Sequence, residues 1–130
     1  MKVRLIIVFV LISSICNGQV VKSYAQLTDK IVVTMSEGTL IISPVTDNAA
    51  RIKYYKDSEG NLPELILSSD LATPAYKVSD LKDELSVITK DLIVTLNKMS
   101  GRLSFKDCTG KTFLNEKEGS RFLIPDSIGG

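Results

Sequence analysis

The sequence predicts an all-β domain, built as an antiparallel β-sandwich. Three observations carry that prediction. Short runs alternate apolar and polar residues with a period of two. Clusters of Gly, Asn, Asp and Ser separate those runs at short intervals. No window places apolar residues at i, i+3, i+4 and i+7 without a Gly, a Pro or a strand-forming run interrupting it. A chain of 130 residues suits one such domain.

Residues 1–18 stand apart and read as a secretory signal peptide. Lys2 and Arg4 supply the positive start, and Leu5 to Ile12 is an unbroken apolar run. Eight residues cover only about 12 Å of a ~30 Å hydrocarbon core, too little for a comfortable transmembrane span. Ser13, Ser14, Cys16 and Gly18 are the small residues a cleavage site needs, and cleavage is expected between Gly18 and Gln19. Lipidation at Cys16 is the competing outcome, although the bulky Ile15 before it suits that processing poorly. With cleavage after Gly18 the product is exported to the periplasm or beyond, with no membrane contact after the signal peptide.

Residues 19–30 form an N-terminal lead, and the sandwich is expected over 31–130. Ile31, Val33 and Met35 alternate with Val32 and Thr34, and Ser36-Glu37-Gly38 closes the run with a tight turn. Thr39 to Val45 returns with Leu40 and Ile42 on one face, completing a hairpin. Asp47-Asn48 breaks the chain. Ala49 to Tyr55 resumes it, with Ala50, Ile52 and Tyr54 sharing a face. Residues 56–74 are read mainly as loop, with Leu65-Ile66-Leu67 as a short edge strand.

Tyr76 and Val78 open the next strand, and Leu81 to Glu84 make a turn. Leu85, Val87 and Thr89 alternate, as do Leu92, Val94 and Leu96. Lys98-Met99-Ser100-Gly101 and Asp107-Cys108-Thr109-Gly110 are hairpin turns, because glycine takes positive φ without steric cost. Leu103 and Phe105 lie between them, and Phe113 and Leu114 start the return strand. The count is about eight strands, at a spacing typical of sandwiches.

Composition excludes several function classes. With 16 basic against 15 acidic residues, the chain lacks the basic excess of a nucleic-acid binder. Without histidine there is no Ser-His-Asp triad, no Cys-His dyad and no imidazole zinc ligand. Beyond the signal peptide the only cysteine is Cys108, so no internal disulfide forms and the apolar core must hold the domain. No metal and no cofactor are expected.

The run Ile93-Val94-Thr95-Leu96-Asn97-Lys98-Met99-Ser100-Gly101-Arg102-Leu103-Ser104-Phe105-Lys106-Asp107, then Gly110-Lys111 and Leu114-Asn115-Glu116, forms two successive glycine-turn hairpins followed by an acidic residue. Asp47-Asn48 leads into the strand Ala50-Arg51-Ile52-Lys53-Tyr54, and Thr39-Leu40-Ile41-Ile42 precedes it. This ordered set resembles the N-terminal galactose-mutarotase-like β-sandwich of glycoside hydrolase family 31, which includes α-glucosidases and α-xylosidases. The resemblance spans about residues 28–126. It implies that the catalytic work falls to a (β/α)8 barrel following the sandwich, with two aspartates of that barrel as nucleophile and acid/base. On this reading the present chain ends before the barrel, and before the sandwich is complete. No residue here inherits a catalytic role, and the partner is that barrel of the same polypeptide, with oligosaccharide as a further candidate.

Glycoside hydrolysis needs two carboxyl groups about 5 to 10 Å apart. The neighbours Asp57 and Glu59, Asp83 and Glu84, and Glu116 and Glu118 all fall in turns or loops, and are read as solvated charges. Sugar platforms favour aromatic faces. Trp is absent and Tyr24 lies in the lead. Tyr54 is expected in the core, whereas Tyr55 and Tyr76 could be exposed. Asp47 and Asn48 would either touch a neighbouring domain or form an Asx-type turn, the latter being favoured. Gly101 and Gly110 are turn glycines that open no helix. Cys108 is read as an exposed thiol with no base to activate it. Met35 and Met99 are core or turn residues, and Lys90 and Asp91 join no larger charge pattern. Substrate-binding residues are therefore left unassigned. Two further readings stay open: a stand-alone secreted carbohydrate-binding or adhesion module, and a truncated frame without activity of its own.

Overall fold

A computed structural model of the chain describes residues 19–60, 71–117 and 119–121. The signal-peptide reading at 1–18, the edge strand at 65–67 and Glu118 lie outside the described residues. Nine strands are present among those described: β1 (Val21–Gln26), β2 (Ile31–Met35), β3 (Thr39–Thr46), β4 (Ala49–Tyr55), β5 (Lys77–Asp80), β6 (Glu84–Ile88), β7 (Leu92–Asn97), β8 (Leu103–Asp107) and β9 (Thr112–Asn115). They form two antiparallel sheets, in the orders β1-β2-β3-β4 and β5-β6-β7-β8-β9. Each strand pairs with its sequence neighbours, so every within-sheet connection is local.

Alternation decides which side chains meet. In the first sheet, Ile31, Ile42 and Ile52 form one inward row and Val33, Leu40 and Tyr54 the next. In the second, Val78, Val87, Val94, Phe105 and Leu114 cross all five strands, and Leu85, Leu96 and Leu103 lie alongside. Residues of both sheets join one buried cluster containing Ile31, Val33, Met35, Leu40 and Ile42 opposite Leu85, Val87, Leu92, Val94, Leu96 and Leu103. The molecule is therefore a β-sandwich closed by apolar side chains, as the period-two runs predict. The outward face of the second sheet carries the row Ser79, Ser86, Thr95, Ser104 and Asn115. Within it the Ser86 and Thr95 hydroxyls pair at 3.1 Å.

Two features depart from the pattern. The lead, 19–30, supplies β1, a strand that alternation does not reveal. Five of its six residues are exposed, so it carries no apolar face to read. Ile41 points away from the core cluster yet is 6% exposed. It lies between Val32 and Lys53 in register, and the Lys53–Glu59 ion pair returns the chain after β4 to this face.

The sheets are also joined at one corner by main-chain groups. The Asp47 carbonyl, in the turn between β3 and β4, accepts the Asp91 amide at 3.1 Å and the Thr89 hydroxyl at 2.6 Å. Thr89 is 8% exposed, and its Oγ1 also accepts the Leu92 amide at 3.2 Å. Replacing Thr89 with valine keeps the shape and removes these bonds. Asp47 retains one partner, so the expected loss is about 1 kcal/mol, measured as a lower urea midpoint at unchanged slope. No change in midpoint would show that the corner adds nothing to stability.

Candidate functional site

The densest polar cluster gathers where the chain enters the first sheet and leaves the second. Gln19 precedes β1 and Arg121 follows β9. The Gln19 Nε2 donates to the Tyr54 hydroxyl at 2.8 Å and to the Arg121 carbonyl at 3.0 Å. The Tyr54 hydroxyl donates onward to the Glu37 carbonyl at 2.7 Å. Arg121 lies over the Tyr54 ring, 5.8 Å from its centroid, close enough for a cation–π contact.

Arg121 also grips Glu116, with Nε to Oε1 at 2.7 Å and Nη2 to Oε2 at 2.9 Å. The same Oε2 accepts the Leu103 amide at 3.0 Å, which ties the ion pair to β8. These side chains are only 15% and 19% exposed, so the pair is largely shielded from water. Gln19 Oε1 and Arg121 Nη1 are buried without a hydrogen-bond partner among the described residues.

A second polar link lies at the opposite edge. Tyr24 in β1 donates to Asp80 Oδ2 in β5 at 3.1 Å, and the Lys98 ammonium pairs with Asp80 Oδ1. Lys98 further binds the Leu81 carbonyl through Nζ, and its own carbonyl accepts the Val21 amide at 2.9 Å. The β7–β8 turn therefore holds the first strand in place.

Electrostatics follow from these contacts. Burial pushes the Glu116 carboxyl up, but the Arg121 guanidinium and the Leu103 amide outweigh it and hold the group below its ordinary value. Lys98, then Tyr24, lowers Asp80, and the Thr109 hydroxyl with the Lys111 amide lowers Asp107. A carboxyl depressed in the folded state adds stability that is complete above its unfolded value and disappears as pH falls through the folded value. The thermal midpoint is accordingly expected to drop as pH is lowered from about 5 to about 3. Glu116→Gln should show a shallower acid limb, read by melts across that range. An unchanged limb would show that Glu116 contributes nothing to it.

Most residues singled out from sequence prove structural. Glu59 pairs with Lys53 but stays exposed, as expected of a loop carboxylate, whereas Glu116 is gripped by Arg121 and largely shielded, against the expectation of a solvated charge. The difference at Glu116 has one cause: its cationic partner, Arg121, comes from the segment after β9. Asp57 is exposed. The Asp83 carbonyl accepts the Lys98 amide at 2.8 Å, and the Glu84 carbonyl accepts the Leu81 amide at 2.9 Å, which closes their turn through main-chain groups.

Tyr54 packs against the core but keeps a polar tip. Tyr76 is not a free surface ring: it packs on the core and its hydroxyl donates to the Leu27 carbonyl. Tyr55 is half-buried. Asn48 accepts the Thr46 hydroxyl at 2.8 Å in its turn. Asp107 Oδ1 accepts the amides of Thr109 and Lys111 at 2.9 and 3.0 Å, leaving Cys108 exposed at the tip. Met35 is in the core and Met99 is exposed in its turn. Gln19, Arg121, Asp80, Lys98 and Thr89 escaped sequence reasoning. Each acts across at least one strand connection, and no local motif marks such a contact.

Neither a protein-family model nor a curated protein sequence matches the chain. Solved structures do. A GH31 α-xylosidase from Xanthomonas citri aligns with a TM-score of 0.71 at 21% identity, over 79% of this chain and 12% of that one. The chain has the fold of a GH31 β-sandwich domain. A GH31 α-xylosidase from a soil metagenome, solved with xylose, aligns with this GH31-type sandwich at a TM-score of 0.64 and 26% identity, over 73% of this chain and 14% of that one. The cycloalternan-forming enzyme of Listeria monocytogenes, solved with a pentasaccharide substrate, aligns at 0.62 and 19% identity, over 76% and 9%. The GH31-type sandwich thus spans about a tenth of the length of the solved chains it matches.

Proposed function

We propose that this chain is the non-catalytic N-terminal β-sandwich of an exported GH31 α-glycosidase, serving carbohydrate hydrolysis by a catalytic barrel on the same polypeptide. The observation that carries the reading is the likeness to GH31 α-xylosidases over about three-quarters of the chain but little of theirs. The ordered hairpins at 93–116 support it, as does the use made of the candidate carboxylates Glu59 and Glu116. These are committed to ion pairs within the sandwich, which suits a scaffold rather than a pair of reacting groups. The apolar run and small residues at 1–18 support export, with cleavage after Gly18 favoured over lipidation at Cys16.

The test compares the purified 130-residue chain with the polypeptide encoded by the complete gene, on aryl α-glucosides and aryl α-xylosides. Turnover is expected only from a polypeptide carrying a downstream barrel. Turnover by the 130-residue chain, or a gene with no barrel-coding sequence after it, overturns the proposal. The same purified chain should leave a glycan array blank. Specific glycan binding would favour a stand-alone carbohydrate-binding module instead.

A further inference from the structure

We propose that Gln19 is a modification site governed by the fold: a mature N-terminal glutamine whose cyclisation to pyroglutamate is blocked by the folded sandwich. The inference rests on the proposed cleavage after Gly18, which would make Gln19 the first residue. An N-terminal glutamine can lose ammonia without any oxidant or cofactor. The α-amine nitrogen attacks Cδ of the side chain and forms a five-membered lactam. The Cδ–Nε2 bond breaks, and Nε2 departs as ammonia carrying a proton from the amine.

The atom that must leave is the atom the fold holds. Both hydrogens of Nε2 are committed, one to the Tyr54 hydroxyl at 2.8 Å and the other to the Arg121 carbonyl at 3.0 Å. Tyr54 is itself fixed by its bond to the Glu37 carbonyl. The backbone that follows Gln19 has little room. A Cβ placed on Gly101 would collide with the Gln19 carbonyl oxygen, so these two segments are in close contact. The next residue is pinned to the β2–β3 turn, with the Val20 amide on Ser36 Oγ at 3.0 Å and the Ser36 amide on the Val20 carbonyl at 2.7 Å.

To depart as ammonia, Nε2 must give up both partners. The reaction then proceeds only from a locally opened state, and its rate falls with the population of that state. The product also lacks the NH2 group that joins β4 to the segment after β9, so cyclisation before folding would remove that connection.

The test exports the full 130-residue chain and follows the purified product by intact mass and N-terminal peptide sequencing during incubation at 37 °C in native buffer. A free peptide spanning Gln19–Gln26 serves as the unfolded reference. The folded chain is expected to lose ammonia about tenfold or more slowly than the peptide. Tyr54→Phe, which keeps the ring and removes one partner of Nε2, should move the rate towards that of the peptide. Loss at the peptide's rate by the wild-type chain, or isolation of a chain already cyclised, overturns the proposal. An N-terminus at any residue other than Gln19 overturns the cleavage reading and the proposal with it, and sequencing separates that failure from the others.

Discussion

Leu40→Ala is expected to lower the unfolding free energy by about 3 kcal/mol. Leu40 is fully buried, in register with Val33 on one side and Tyr54 on the other. The core it enters is a single cluster shared by the two sheets. Truncation therefore removes apolar contact within the first sheet and across to the second. The neighbours are strand residues held by paired backbones, which limits their collapse into the space. The cost therefore combines the lost transfer energy with a cavity term. Equilibrium urea unfolding measures it. A loss under about 1 kcal/mol would mean that the sheets close over the gap more readily than paired strands should.

Gly101→Ala is expected to cost a similar amount, about 3 kcal/mol, for a different reason. Gly101 sits at φ +69° in the β7–β8 turn, a conformation that opposes any side chain. Its new Cβ would also lie 2.8 Å from the Met35 methyl carbon and closer still to the Gln19 carbonyl oxygen. The methionine tip can move, but the carbonyl belongs to main chain held by Val20 and Val21 on either side of the turn contacts. Relief requires displacing the entry to β1. A further expected result is loss of the Gln19–Tyr54 bond, visible as altered tyrosine absorption or a shifted Tyr54 ring resonance. Gly110→Ala provides the comparison: φ is +88° but nothing crowds the added carbon, so only the backbone cost of about 1 kcal/mol remains. Equal losses at the two glycines would show that crowding at Gly101 is relieved for nothing.

The core and most of the strands were legible because burial on one face imposes a period of two. Ile31, Val33 and Met35 could be assigned inward from spacing alone, and so could Leu85 and Val87. Glycine turns at 101 and 110 likewise declare themselves through a local steric rule. β1 could not be read, since an edge strand with Lys22, Ser23 and Gln26 exposed gains its place from hydrogen bonds to β2, which any sequence can make. The candidate site was harder still. Glu116 was visible as a charge, but its meaning comes from Arg121 and from the Leu103 amide across a hairpin. Gln19 and Tyr54 are 35 residues apart and belong to no common motif. Contacts of this kind join segments distant in sequence, and such polar links leave no periodicity along the chain.

The corner at Asp47 has an evolutionary consequence. What clasps Thr89 and Asp91 there is a peptide oxygen, which every amino acid possesses. Selection to keep the clasp consequently exerts no pressure on the identity of residue 47 itself, provided the turn is preserved. Distant homologues can drift freely at such positions while retaining the architecture, a pattern in which shape comparison succeeds after letter-by-letter matching has lost the trail.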